Sequence, residues 1–229
     1  MGDLLRYAPI LLTGAFVTVA LALASLALAT LLGALGAAGK LARRPLWRRL
    51  AMAYTTLVRG VPDIVLMLLV YFGGQRLLNA LLAAVGAGAV DLPPFVAGVL
   101  SIGFLYGAYL TETFRGAYLA VPRGQADAGR ALGLHPFAVL WAVMLPQLVR
   151  FALPGYANVW QVLVKSTAVV SVIGLEDLVG RANDAGKSAH QPFVFFAAVL
   201  GVYLAITWAS TSVFGRLERH HARGAAHAR

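Results

Sequence analysis

Charged residues lie in two otherwise apolar stretches of this sequence, where they could recognise a charged ligand. Asp63 ends RGVPD and Glu112 lies within YLTETFRG, and each carboxylate could bind a cation. Arg59 precedes Asp63 by four residues, and Arg115 follows Glu112 by three. Either pair could instead form a local ion pair on one helix face. Both a ligand-binding and a structural interpretation therefore stay open at each place.

A third polar set lies in NVWQVLVKS. Asn158, Gln161 and Lys165 follow one another at spacings of three and four residues, so a helix would place all three on one face. Snorkelling explains a membrane lysine only near a helix end, so we expect Lys165 to face a pathway or a partner. Together with the two carboxylates and Arg115, these groups suit a zwitterionic or charged small solute.

The sequence lacks the residues needed for thiol, nucleotide-binding and nucleophilic chemistry. The chain has no cysteine, which excludes disulfides and thiolate metal sites. GRANDAGKS (180–188) has five residues between its first Gly and Gly-Lys-Ser, whereas a phosphate-binding loop needs four. We find no serine-nucleophile motif and no His/Glu spacing for metal. HHARGAAHAR (220–229) could bind metal weakly through its histidines, but a disordered basic tail is the favoured interpretation.

The elements that position these residues are predicted to be membrane helices. Hydrophobic residues make up 60% of the sequence and charged residues 12%, against about 25% charged in soluble domains. About 20 apolar residues cross a bilayer, and the charge-free run from Tyr7 to Gly39 exceeds both this length and a signal peptide. We predict an all-α membrane protein in which a single domain (1–219) has five spans, at about 9–37, 54–82, 93–116, 150–172 and 192–215.

Charge along the chain predicts which way these helices run. Fourteen of the nineteen basic residues lie in segments 40–59, 115–150 and the C-terminal tail. Short loops rich in Lys and Arg stay cytoplasmic, so the N-terminus is predicted outside and the C-terminus inside. The net charge of +10 is then mainly a topology signal that could attract anionic lipid, and we do not expect nucleic-acid binding.

ADAGRALGLHPFAVLWAVMLP (126–146) resembles the signature loop of permease subunits in bacterial ABC importers. That pattern is Glu-Ala-Ala, three residues, Gly, nine residues, then Ile-x-Leu-Pro. Here Asp127, Ala128 and Gly129 fill the triplet, and Gly133 and Pro146 match. The sequence departs from the pattern at three positions, with Asp for Glu, Gly for the second Ala and Val143 for Ile.

Further stretches extend the resemblance from about residue 10 to 219. YTTLVRGVPDIVLMLLVYFG, ALPGYANVWQVLVKSTAVVSVIGLEDL and AGKSAHQPF are similar to the polar amino-acid importers, especially the histidine/lysine/arginine/ornithine group. Opine and arginine permeases are similar enough to stay open. The resemblance implies a type I, MetI-like permease fold in the bacterial inner membrane.

The resemblance also implies partners. A second homologous permease subunit would complete the pathway, two ATP-binding cassette subunits would dock from the cytoplasm, and a periplasmic amino-acid binding protein would deliver substrate. ATP and Mg would bind the partner ATPase, with no cofactor on this chain. Asp63 or Glu112 would bind the substrate's side-chain cation, and Lys165 or Arg115 its α-carboxylate, although Lys165 would also repel that cation.

The cytoplasmic loop 122–147 would transmit the ATPase movement as a coupling helix. Ala126, Asp127, Ala128 and Gly129 would contact the ATPase, small residues would allow close approach, and Gly133 would end the short helix. The alternative is an amphipathic linker on the membrane surface.

A stand-alone carrier or a membrane scaffold are other possible functions, but many carriers contain inverted repeats and this sequence shows none.

Overall fold

The structure, a computed structural model, describes residues 2–222, and these are almost entirely helical, without a β-strand. The α-helices are α1 (Gly2–Leu41), α2 (Pro45–Arg59), α3 (Asp63–Leu68), α4 (Gly74–Ala84), α5 (Pro94–Ala120), α6 (Arg123–Ala131), α7 (Pro136–Ala138), α8 (Leu145–Ser166), α9 (Leu178–Ser188) and α10 (Pro192–Ala222). Two π-helical segments, Leu69–Gly73 and Val139–Met144, and one 3₁₀ segment, Thr167–Ile173, continue α3, α7 and α8.

The predicted all-α fold with five spans is confirmed. Five helical runs in the described residues are long and apolar enough to cross a membrane: Leu4–Leu41, Asp63–Ala84, Pro94–Ala120, Pro136–Ile173 and Pro192–His221.

The second span begins later than the predicted 54–82. Residues up to Arg59 belong to α2, and the helix breaks before α3 begins at Asp63. Pro62 has no N–H to continue the hydrogen bonding of α2, and it serves as the N-cap of α3. The break therefore turns one predicted span into a separate helix followed by a shorter span.

Two other boundaries also shift. The fourth helical run starts at Pro136, not 150, so the second half of the predicted loop 122–147 is helical and continuous with the span. The π-helical segment (Val139–Met144) makes this continuation possible. At the C-terminus α10 runs to Ala222, which places the start of the predicted tail on a helix. Residues 223–229 of that tail lie outside the described residues.

Helices α1 and α5 pack closely and run parallel. A Cβ atom on Gly103 would lie 2.6 Å from Leu28 Cδ2, and one on Gly107 would lie 2.8 Å from Leu32 Cβ. Small residues allow such close contact between membrane helices. The paired positions advance together along both helices, so α1 and α5 cross the membrane in the same direction. Tyr106 of α5 is fully buried in this core.

Helix α9 contains the stretch that resembles a phosphate-binding loop. Residues 180–188 are helical, so their backbone N–H groups are not arranged as a loop around an anion. Asp177 caps α9 by accepting a hydrogen bond from the Gly180 N–H at 2.9 Å. Burial raises the pKa of the Asp177 carboxyl above its usual value because the charged form is poorly solvated there.

Candidate functional site

A polar cluster lies where two helical runs change their geometry. Asp63 is the first residue of α3, directly after the break at Pro62. Ser166 is the last residue of α8, where the helix tightens into the 3₁₀ segment. Tyr106 joins them, since its hydroxyl donates to Asp63 Oδ2 at 3.2 Å and shares a hydrogen bond with Ser166 Oγ. Interrupted helices in transporters commonly form binding sites near the bilayer midplane.

The Asp63 carboxylate has no cationic partner within the described part of the chain. Arg59 does not pair with it, since none of the ion pairs within 4.0 Å in these residues joins Arg59 to Asp63. The Arg59 guanidinium instead lies over the Tyr109 ring, 5.3 Å from its centroid. The alternative of a local Arg59–Asp63 pair is not observed, because its four-residue spacing requires a continuous helix and Pro62 interrupts that helix. Asp63 remains partly exposed.

The three polar residues of α8 have different surroundings. Gln161 donates to Thr211 Oγ1 of α10 at 3.3 Å, which ties the two helices together. Asn158 and Lys165 are exposed on the surface of the chain. They lie seven residues apart, so they share one helix face. Lys165 also directly precedes Ser166 of the Asp63 cluster, and it has no carboxylate within 4.0 Å in the ion pairs found for residues 4–221.

Glu112 has two cationic partners. Lys40, at the end of α1, forms an ion pair with its Oε1, and Arg115 Nε lies 3.0 Å from its Oε2. The alternative of a local pair with Arg115 is therefore observed, and Lys40 joins it from another helix. The Lys40 and Glu112 side chains are only 12% and 21% exposed. Within this chain Glu112 therefore already has cationic partners, unlike Asp63.

The predicted coupling helix forms as α6, and its end is built as expected. Gly133 has φ +78°, and its N–H donates to the Arg130 carbonyl at 2.9 Å. Leu134 N–H reaches back to the Gly129 carbonyl at 3.1 Å. These two bonds make a Schellman motif, in which glycine is favoured because the residue has a positive φ.

The signature residues on α6 divide between two faces. Asp127 and Ala128 are exposed, and Asp127 pairs with Arg130 at 3.0 Å. Gly129 is buried against the π-helical segment, where a Cβ would lie 3.2 Å from Val139 Cγ2. Ala126 packs on the small apolar cluster of Val121, Val139 and Met144. The small residues thus also bring α6 close to its own chain.

Comparison with known proteins identifies the family. The protein-family model described as "binding-protein-dependent transport system inner membrane component" matches residues 29–220. The chain belongs to this family. It is 48% identical, over 95% of this chain and 96% of the relative, to the histidine/lysine/arginine/ornithine transport system permease protein HisQ of Escherichia coli. It is 38% identical to the octopine transport system permease protein OccQ of Rhizobium radiobacter, over 90% and 88% of the two chains.

Solved structures agree with the fold of this inner membrane component. A crystal structure of an amino acid ABC transporter with histidines superposes with a TM-score of 0.80, at 28% identity, over 95% of this chain and 96% of that chain. An inward-facing MetNI methionine ABC transporter superposes with a TM-score of 0.75 at 18% identity, over 94% and 98%. The second match, at its low identity, shows the fold alone, and that fold is the MetI-like one.

Sequence reasoning about this inner membrane component missed several neighbours of its predicted site residues. The hydrogen bonds of Tyr106 to Asp63 and to Ser166 were not predicted, and Lys40 was assigned only a topological role. Lys40 and Glu112 are 72 residues apart, so no local spacing signals their contact. The parallel packing of α1 on α5 brings them together. A tyrosine hydroxyl within the apolar stretch 102–108 of α5 was the available signal for Tyr106.

Proposed function

We propose that this chain is a permease subunit of an ATP-driven importer for cationic amino acids of the histidine, lysine, arginine and ornithine class. It forms half of the translocation pathway and is not itself an enzyme, since ATP is hydrolysed on a separate subunit. The relative at 48% identity is named for transport of these four amino acids. The observation that carries the proposal is Asp63, a partly exposed carboxylate at a helix break without a compensating cation in the described residues.

Asp63 binds the substrate's side-chain ammonium or guanidinium in this proposal. Tyr106 fixes the carboxylate through its 3.2 Å hydrogen bond, so that little side-chain freedom is lost on binding. Lys165 provides the opposite charge, for the α-carboxylate, from the adjoining end of α8. The repulsion between Lys165 and a cationic side chain then orients the amino acid, because its two charged ends require different partners. Glu112 and Arg115 stabilise the inner half of α5 instead.

Membership of the family supports the proposed partners. A second homologous permease subunit completes the pathway, two ATP-binding cassette subunits bind ATP and Mg, and a periplasmic binding protein delivers the amino acid. Helix α6 docks on the ATPase through its exposed face, which includes Asp127 and Ala128. Its inner face, at Gly129, transmits the movement to the π-helical segment and α8. ATP and substrate delivery must each favour one of two conformations.

The proposed orientation has the N-terminus outside and the C-terminus inside. The clustering of basic residues in alternate connections supports it. The parallel packing of α1 and α5 is consistent with it, since both would run from outside to inside. α6, which follows α5, then lies in the cytoplasm, where an ATPase can reach it.

Reconstitution tests the proposal. The chain would be co-expressed with the second permease and the ATPase, purified by a tag on this chain, and incorporated into liposomes with the binding protein outside. We expect ATP-dependent uptake of arginine, lysine, histidine or ornithine. Preferential uptake of octopine would instead assign the chain to the opine permeases. Uptake without ATP or binding protein would make it a secondary carrier and overturn the proposal.

A further inference from the structure

An apolar groove runs along the outside of the bundle where α1, α5 and α8 meet. It encloses about 580 Å³, and the exposed side chains of Ala34 and Ala38 form part of its wall. The hydroxyls of Thr30 and Tyr156 lie in the groove but bond to each other at 2.9 Å. With these polar atoms paired, the groove suits a hydrocarbon occupant.

The length of the groove matches one leaflet of a bilayer. Its wall on α1 extends from Thr30 to Leu41, which at 1.5 Å per residue is roughly 16 Å. Half of a hydrocarbon core is about 15 Å thick. An acyl chain of one leaflet fits this length, whereas a membrane-crossing helix of a partner would need roughly twice as much.

Positive charge lies at one end of the groove. Arg43 and Arg44 follow Leu41 by two and three residues. Arg48 and Arg49 are exposed in the first turns of α2. None of these four has a carboxylate within 4.0 Å in the ion pairs of residues 4–221. Trp47 between them is 54% exposed, and tryptophan is enriched at the level of lipid headgroups.

We propose that this groove and its arginines form a binding site for one anionic phospholipid. An acyl chain lies along Ala34, Ala38 and Leu41, and the headgroup phosphate binds Arg43 and Arg44. With the proposed topology, the lipid belongs to the cytoplasmic leaflet. The site is separate from Asp63 and from the exposed face of α6, so it does not depend on the substrate of the transporter.

Native mass spectrometry of the delipidated complex can test this proposal. The complex would be titrated with dioleoyl phosphatidylglycerol or dioleoyl phosphatidylcholine. We expect one tightly bound phosphatidylglycerol per copy of this chain. R43Q and R44Q should each weaken that binding by about fivefold and weaken phosphatidylcholine binding less, because the choline cation offsets the charge of its phosphate. Ala38→Phe should fill the groove and weaken the binding of both lipids.

Matched variants on α10 separate the site from general effects. Arg216 and Arg219 are exposed near the end of α10, on the same predicted side of the membrane. The double variant R216Q/R219Q loses the same charge as R43Q/R44Q, and Ala209→Phe adds the same bulk at an exposed alanine of α10. Both should bind phosphatidylglycerol like the parent. Equal weakening in R216Q/R219Q, or unchanged lipid binding in Ala38→Phe, would overturn the proposal.

A photo-crosslinking amino acid at position 38, introduced in the full complex in native membranes, identifies the occupant directly. Adducts with phospholipid are expected. Adducts with a second copy of this chain, or with another subunit, would show that protein covers the groove and would also overturn the proposal.

Discussion

Lys40 at the end of α1 forms an ion pair with Glu112 of α5, across 72 residues of sequence. Arg115 bonds to the other oxygen of the same carboxylate at 3.0 Å. Three charged groups near the C-terminal ends of two parallel helices therefore form one cluster, in which two cations share one carboxylate. We expect this cluster to fix α1 against the part of α5 that leads into α6.

Replacing Glu112 by Gln should destabilise the protein because it leaves Lys40 and Arg115 without their carboxylate. We expect a loss on the order of 1–3 kcal/mol, measured as a lower thermal unfolding temperature in detergent. Lys40→Met combined with Glu112→Gln should recover part of the loss, since one unpaired cation is then removed. Strict additivity of the two single variants would contradict a direct interaction.

Replacing Asp63 by Asn should reduce the uptake of cationic amino acids and leave assembly intact. Loss of a charge-assisted contact corresponds to roughly ten- to hundredfold in affinity, so the substrate concentration for half-maximal uptake should rise. Asp63→Glu should retain part of the function. Glu176→Gln is a suitable control because that carboxylate is 77% exposed and pairs with Arg181, not with a residue of the Asp63 cluster. Unchanged uptake in Asp63→Asn would remove Asp63 from the proposed site.

Replacing Gly133 by Leu should uncouple ATP hydrolysis from transport. The φ of +78° at this position costs a branched or bulky residue about 1–3 kcal/mol, so the end of α6 should distort. Substrate-stimulated ATP hydrolysis in the reconstituted complex is the measurement. Gly124→Ala, in the same helix with open space around it and no positive φ, should behave like the parent. A Gly133→Leu complex with normal stimulation would show that this helix end does not take part in coupling.

Replacing Lys165 by Met should lower uptake without releasing the second permease subunit. Its ammonium is proposed to bind the substrate's α-carboxylate, so Lys165→Arg should keep more activity than Lys165→Met. Lys187→Met removes an exposed lysine at the end of α9 and should leave uptake unchanged. Loss of the second permease during purification of Lys165→Met would instead assign Lys165 to a subunit contact.

The orientation can be tested directly because the chain has no cysteine. Gly88 and Gly124 both have open space around them, so a cysteine at either should be tolerated. A membrane-impermeant maleimide should label Gly88→Cys in intact spheroplasts. It should label Gly124→Cys only after the membrane is permeabilised. The reverse pattern would invert the proposed topology.

Some features of this protein were predictable because they depend on residues close together in the chain. Hydropathy over some twenty consecutive residues is sufficient to predict a membrane helix, so all five spans were found. The end of α6 at Gly133 depends on its own turn and backbone conformation. The Glu112–Arg115 pair depends only on a three-residue spacing in an uninterrupted helix.

Other features were decided by the tertiary structure. Asp63 bonds to Tyr106, which also bonds to Ser166, and it does not pair with Arg59 because Pro62 ends the helix whose regular spacing would have joined the two. Lys40 reaches Glu112 because glycines allow α1 and α5 to pack closely in parallel. Residue spacing along one helix contains no information about which helices become neighbours or at which level they meet. The sequence by itself determined the spans and the local motifs, whereas only helix packing decided which charges are compensated and which carboxylate remains available for a ligand.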